Sequence, residues 1–234
     1  MRSLSLWRHE VRRAGWASLL VPPLAAVVML GAAVDGAARL EATSRSTALL
    51  LHSMLEMALP LAAGVAAASL VGRDHAIELQ LTMPTTYRST ILRRLVVTAG
   101  WAAVIALTAA MAMVASGWWH RWPAAHPALA GQLTWLAPTL CLSGLGLLVG
   151  ALSASPALAT SAVVGMWFFD LAAGELLREH HWSRLSYLFA TTRGPVGKDW
   201  TANRLTLIAA GVAMIAAGWL LLRRPGRLLT KEAE

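Results

Sequence analysis

The sequence predicts an all-α membrane protein, and two observations lead to that prediction. Of the 234 residues, 57% are hydrophobic and only 14% are charged, and the apolar residues occur in long blocks. Each block is close to the roughly 20 residues that a helix needs to cross a bilayer, and segments in lipid satisfy their backbone groups as helices. Six transmembrane spans in one domain are therefore predicted, at residues 16–34, 47–72, 95–118, 133–152, 157–174 and 205–222.

The segment that precedes the first span, residues 1–15, has the pattern of an interfacial amphipathic helix. Leu4, Trp7 and Val11 recur at helical spacing, while arginines occupy the other side. Such a helix would lie in the cytoplasmic interface with its apolar stripe in the lipid. The alternative is a basic tail that only directs the topology.

The basic residues predict the orientation of the chain. With both termini inside, the inner flanks hold 12 Lys and Arg residues and the outer flanks hold 8. Both termini are therefore predicted to be cytoplasmic. The abundance of arginine and alanine suggests a bacterial genome, and hence a plasma membrane. The net charge of +8 indicates contact with anionic membrane lipids rather than with nucleic acid.

Aromatic and small residues have architectural interpretations. The 11 tryptophans lie mostly near predicted span ends, as in an aromatic belt, although the cluster Trp118–Trp122 could instead stack on a substrate. Cys141 is interpreted as a packing residue of the fourth span, whose glycines and serine allow close helix contact. After that span, Ser155 can cap the next helix and Pro156 can begin it.

Four ionisable residues are candidates for a passage through the membrane. His52 and Glu56 are four residues apart in the second span, so they can share a helix face and pair. Ionisable groups at membrane depth are costly, so this pair could form a proton, metal or cationic-substrate site. The alternative is that both snorkel or bond to another helix. The same two interpretations, a functional site or a structural position, apply to Asp170 and Glu175 near the outer end of the fifth span.

The longest outer segment, residues 175–204, is predicted to be partly helical. Its apolar residues could form one side of a short helix lying on the membrane, and Thr191–Trp200 resembles a turn leading to the last span. This outer loop would cap any passage between the spans. The predicted apolar side consists of Leu177, Trp182, Leu185, Leu188 and Phe189.

Several common motifs are absent from the sequence. It contains no G-x-x-x-x-G-K-[ST] nucleotide loop, no H-E-x-x-H pair and no G-x-S-x-G nucleophile. No catalytic residues, metal ligands or cofactor-binding residues are therefore assigned, and the chain is not predicted to be an enzyme by itself. If it uses chemical energy, a partner supplies that energy.

The segment Arg73–Arg94 lies between the second and third predicted spans. Its stretch Glu78–Pro84, followed by Arg88, resembles the E-L-L-L-T-L-P…R stretch of ABC-2-type transporter permeases. Six spans, an inner loop after span two and a long outer loop before span six also match that family. The chain departs from the family where it has His75-Ala76-Ile77, and Arg88 stands one position later than usual.

The resemblance implies a function and a set of partners. It implies the membrane subunit of an ATP-driven exporter of a hydrophobic or amphipathic substrate, with ATP and Mg bound by a separate ATP-binding subunit. A second permease copy, identical or related, would complete a dimer. Segment 73–94 would act as a cytoplasmic coupling helix that contacts the ATPase. The residues assigned to coupling are Asp74, Glu78, Gln80, Thr82, Pro84 and Arg88.

Two other classes of function remain open at the level of sequence. One is an ion-coupled carrier, or an intramembrane metal or haem protein, that uses His52 and Glu56. The other is a membrane scaffold that anchors other subunits without transporting anything. A separate alternative for segment 73–94 is a plain solvated loop that only anchors the topology.

Overall fold

The computed structural model describes residues 16–39, 44–71, 87–193 and 199–223. Within these ranges all regular secondary structure is helical, which confirms the all-α prediction. The predicted interfacial helix 1–15 lies outside the described residues, as do Asp74, Glu78, Gln80, Thr82 and Pro84. The α-helices are α1 Trp16–Arg39, α2 Ser44–Ser53, α3 Leu59–Ala68, α4 Tyr87–Ala115, α5 Leu133–Ser153, α6 Pro156–Ala172, α7 Gly174–Glu179, α8 His181–Arg184 and α9 Trp200–Leu221. A π-helical turn, Met54–Ala58, joins α2 to α3, and short 3₁₀ turns lie at Trp119–Arg121 and Ala130–Gln132.

Four helical stretches in the described part are long and apolar enough to cross a membrane. They are Ser44–Ala68, Arg88–Ala115, Ala130–Ser153 and Trp200–Leu221. Two shorter apolar stretches, Leu20–Ala32 and Pro156–Ala172, accompany them. The chain is thus consistent with a membrane protein of at least four spans, while the six-span arrangement stays a prediction.

The long helices run between two ends of one bundle. We call the end that holds segments 116–130 and 173–193 the loop end. Contacts identify it: the Arg45 guanidinium lies 5.9 Å from the Trp122 ring centroid, and the His52 ring lies 5.0 Å from that of Trp119. At the opposite end, Arg88 lies 4.7 Å from the Trp219 ring.

Helix α5 is at the centre of the bundle and packs on α9, α3 and α6. Glycines allow the backbones to approach closely. A Cβ atom on Gly144 would lie 2.5 Å from the carbonyl oxygen of Gly211, and one on Gly146 would lie 2.7 Å from that of Gly64. The expected close packing by small residues of this span is confirmed.

The turn between α5 and α6 follows the sequence prediction. Ala154 has a left-handed backbone (φ 56°), and its N–H bonds to the carbonyl of Gly150. The Ser155 hydroxyl then accepts a bond from Leu158 N at 3.3 Å, and Pro156 is the first residue of α6. The serine cap and the proline start are confirmed.

Three helices extend five or more residues beyond the spans predicted from the sequence. Helix α1 ends at Arg39 and not at residue 34. The other two differences are at helix starts. Helix α9 begins at Trp200 and not at residue 205, and α4 begins at Tyr87 and not at residue 95. At both starts an arginine is part of the helix because it has a partner in the protein. Arg204 contacts Glu56 and Trp200, and Arg88 contacts Trp219. Arg88 and Arg204 are therefore helical residues rather than loop residues.

The structure also corrects the account of the outer loop and of the aromatic residues. The loop forms two short helices, and Leu188 and Phe189 are fully buried inside the protein rather than lying on lipid. The belt interpretation is wrong for Trp119, Trp135 and Trp200, which are buried. Their indole N–H groups bond to protein acceptors, which lets them lie in the interior.

Candidate functional site

Glu56 lies in an irregular turn of the helix that crosses the bundle. Pro60 has no N–H, so the Glu56 carbonyl lacks its usual donor four residues on, and Leu59 N–H bonds instead to Met54 O, five residues back. The resulting π turn, Met54–Ala58, changes the face on which the following residues lie. Such turns occur frequently at functional sites. Glu56 is fully buried within this turn.

The carboxylate of Glu56 accepts four hydrogen bonds, two at each oxygen. Oε1 accepts from Thr191 N at 2.8 Å and from Nη2 of Arg204. Oε2 accepts from Thr192 N at 2.7 Å and from Thr192 Oγ1 at 2.6 Å. A carboxylate offers about four acceptor positions, so Glu56 is saturated.

Arg204 forms the other half of a fully buried ion pair. Besides Glu56, its guanidinium donates to Thr191 Oγ1 and to Leu188 O, each at 3.0 Å. It also lies 5.6 Å from the ring centroid of Trp200, one helical turn earlier in α9. The spacing of four residues places both side chains on one helix face.

These groups converge on a non-helical stretch, residues 185–193, which we call the buried segment. Its residues 187–192 are all buried. Irregular backbone that is buried requires protein partners for its polar groups. Side chains from four parts of the chain supply them.

The partners of the buried segment come from the surrounding helices and from segment 116–130. Asp170 in α6 accepts from Leu188 N at 2.7 Å, and Trp122 donates to Thr191 O at 3.0 Å. Asn203 in α9 donates to the carbonyls of Arg184, Leu185 and Tyr187. The buried segment is thus held by fixed hydrogen bonds on both sides.

The structure separates the four ionisable candidates. Glu56 and Asp170 both bind the buried segment, whereas Glu175 is exposed in α7. His52 does not bond to Glu56: its Nδ1 donates to Ala48 O at 2.9 Å, and its buried Nε2 has no hydrogen-bond partner among the described residues. The pairing predicted from the spacing of His52 and Glu56 is wrong because Arg204 and the buried segment take the carboxylate.

An aromatic stack borders the ion pair at the loop end. The ring of His126 lies 3.6 Å from that of Trp200, with 19° between the planes. Burial, and then the positive charge of Arg204, lower the pKa of His126 below its ordinary value of 6.5. His126 is thus biased toward its neutral form, which suits its position near a guanidinium.

Sequence reasoning missed Arg204, Thr191, Thr192, Trp200 and Asn203 as site residues. Arg204 was counted only as a charge flanking the last span. Two signals pointed to the site: a proline four residues after the buried glutamate, and Trp200, Asn203 and Arg204 at helical spacing at the start of an apolar run.

The hydrogen bonds of the site hold the buried segment against the helices that carry Glu56 and Arg204. Within the described residues no group of three or more His, Cys, Asp or Glu side chains is placed to hold a metal ion. With its acceptor positions filled, Glu56 fixes the buried segment to the spans. The chain matches no protein-family model, no curated protein and no solved structure.

Proposed function

We propose that this chain is the membrane subunit of an ATP-driven exporter of the ABC-2 type. The observation that carries the proposal is the stretch Glu78–Arg88, which resembles the family's coupling stretch and stands between two helices long enough to span a membrane. A separate ATP-binding subunit would bind ATP and Mg, and a second permease copy would complete the complex. The cargo would be hydrophobic or amphipathic.

The proposed topology has six spans with both termini in the cytoplasm of a bacterial cell, so the loop end faces outward. The arginine distribution supports this orientation. Cysteines placed at Ser44 and at Ser89 in a Cys141→Ala background should be labelled from opposite sides of the membrane. Labelling of both from one side would overturn the topology.

Contacts of Arg88 and Trp219 support a path by which movement of the coupling segment could reach the loop end. Arg88 follows that segment and lies 4.7 Å from the ring of Trp219, and Arg223 lies 5.0 Å from the same ring. Trp219 is in α9, whose other end carries Arg204. Since a helix is stiff over about 22 Å between those positions, ATPase movement at segment 73–94 would reach the loop end through α9.

The buried segment and helices α7 and α8 would then act as the outer cap of the exporter. The ion pair between Glu56 and Arg204 ties this cap to the second and last spans. Movement of α9 relative to α3 would shift the cap as one unit. An ion-coupled carrier that uses Glu56 fits less well, because the acceptor positions of this carboxylate are occupied.

Copurification from native membranes tests the proposal. The wild-type chain should copurify with an ATPase subunit. Glu78→Lys should reduce recovery of that ATPase, because the lysine would face an ATPase surface that is complementary to a negative charge. Glu175→Lys, an exposed change at the loop end, is the matched control and should retain the ATPase. If no ATPase accompanies the wild-type chain, the scaffold interpretation is favoured and the exporter proposal fails.

A further inference from the structure

An apolar pocket opens between α1, α2 and α4 at the loop end. Its volume is about 680 Å³, within the range of small-molecule sites. Ten of its twelve lining residues are apolar, and the two polar ones are Thr47 and Ser116. The Ser116 hydroxyl already donates to Ala112 O at 2.6 Å, so it offers no free proton to a polar ligand.

The pocket has a closed floor and open walls. Leu51, Met54 and Met113 form the floor and are each at least 92% buried. Val27 on α1 and Ala112 on α4 are exposed and form opposite walls. The α1 wall runs from Ala26 to Val34, which is about 12 Å along the helix axis. A narrow apolar slot of this kind suits an extended hydrocarbon chain.

The rim of the pocket at the loop end is basic. Trp118 lines the pocket, and the guanidinium of Arg121 lies 4.1 Å from its ring centroid. Arg45, just before the pocket residue Thr47, lies 5.9 Å from the ring of Trp122. Both arginines are exposed, and within the described ranges neither forms an ion pair. Asp35, beside the pocket residue Val34, already takes part in an interaction within the chain.

From these features we infer that the pocket binds an anionic phospholipid of the leaflet at the loop end. One acyl chain fills the apolar slot, and the phosphate lies at Arg121 and Arg45. A guanidinium stacked on an indole ring keeps its edge N–H groups available to phosphate oxygens. The lipid would hold α1 against α4 on the side where the described protein leaves a gap.

A second copy of the chain is a weaker candidate for the same pocket. A two-fold contact uses the same patch on both copies. It would therefore bring Arg45 and Arg121 of each copy near those of the other, and like charges across a contact are unfavourable. The basic rim favours lipid over self-association at this surface.

Photolabelling of the purified chain alone tests the inference. Nanodiscs of phosphatidylcholine would contain a trace of phosphatidylglycerol or phosphatidylcholine, each with the same diazirine-bearing acyl chain. The phosphatidylglycerol probe should label peptides that contain Val27–Val34 and Ala109–Trp118. Its labelling should exceed that of the phosphatidylcholine probe by roughly 25-fold, which is about fivefold for each of the two arginines near the phosphate. Because no ATPase is present, failure of the exporter proposal would not affect this result.

Matched variants separate the acyl slot from the basic rim. Ala112→Trp should fill the slot and reduce labelling severalfold, whereas Ala216→Trp, on the exposed side of α9, should not. Val27→Trp fills the slot from the opposite wall if Ala112→Trp does not fold. Arg121→Gln should lower the ratio of phosphatidylglycerol to phosphatidylcholine labelling by about fivefold, and Arg193→Gln should leave that ratio unchanged.

Three results would overturn the inference. One is an excess of phosphatidylglycerol over phosphatidylcholine labelling that falls outside the two peptides in the wild-type chain. Another is equal labelling by the two wild-type probes. The third is a disulfide between Val27→Cys on one copy and Ala112→Cys on another that excludes both probes, which would identify a second copy as the occupant.

Discussion

At the residue scale, the ion pair of Glu56 and Arg204 is a buried charge pair with most of its polar groups satisfied. Isolated charges in a low-dielectric interior cost several kcal/mol each, and that cost is offset only when each has partners. Glu56 meets this condition with four donors, three from the buried segment and one from the guanidinium of Arg204, which is itself hydrogen-bonded to the buried segment. Removing either charge therefore leaves the other buried without compensation.

A double-mutant cycle measures this dependence. Glu56→Gln and Arg204→Gln should each destabilise the folded chain by about 3–5 kcal/mol, because each leaves one buried charge unpaired. The double variant should be less destabilised than the sum of the two. Unfolding in detergent, followed by tryptophan fluorescence, gives the three values. Additive effects would show that the two side chains do not act as a pair.

His126 should make the stability of the chain depend on pH. Its folded-state pKa is lowered from 6.5, so as the pH falls through 6.5 the unfolded chain binds a proton that the folded chain does not. Stability should therefore fall below pH 6.5. His126→Phe keeps a ring against Trp200 but does not titrate, so its Tm should fall less between about pH 7.5 and pH 5.5. His120→Phe, exposed in the same segment, is the control, and an equal change in both variants would contradict the assignment.

At the scale of elements, sequence reasoning located the helices but not the buried segment. Apolar blocks identify long helices because burial in lipid and burial in protein both select apolar residues. The buried segment is different, since its backbone is satisfied by Glu56, Asp170 and Asn203, which lie far from it in sequence. No local pattern encodes such partners. The sequence did indicate that Glu56 would be costly at that depth, but not that Arg204 would pair with it.

The contact between α5 and α9 should depend on glycine. A Cβ atom on Gly211 would lie 2.6 Å from the backbone of Leu140, so Gly211→Ala must push the two helices apart. We expect a loss of about 1–3 kcal/mol, typical of an overpacked contact. Gly165→Ala in α6 meets no atom within 4 Å and should leave the Tm unchanged or slightly higher. Equal Tm values for the two variants, measured by thermal unfolding, would mean that α5 and α9 do not pack this closely.

At the scale of the whole molecule, the two ends of the bundle have different chemistry. The loop end holds the ion pair, the buried segment and the basic rim of the apolar pocket. The opposite end holds Trp219, whose ring centroid lies 4.7 Å from the guanidinium of Arg88 and 5.0 Å from that of Arg223. Helix α9 reaches both ends, since it contains Arg204 of the ion pair and Trp219 at the opposite end. In the proposed exporter it would join the coupling segment to the outer cap.

The most direct test of that account follows the loop end while the partner ATPase binds nucleotide. Trp182 is 76% exposed in α8, so Trp182→Cys in a Cys141→Ala background provides a single accessible thiol at the proposed cap. In the purified complex, ATP and Mg should change its labelling rate severalfold. Trp219→Leu should suppress that change while the ATPase stays bound, and Trp101→Leu, an exposed tryptophan of α4, should not. An unchanged labelling rate in a Trp182→Cys complex that hydrolyses ATP and retains Trp219 would contradict the proposal that ATP-driven movement reaches the loop end of this chain.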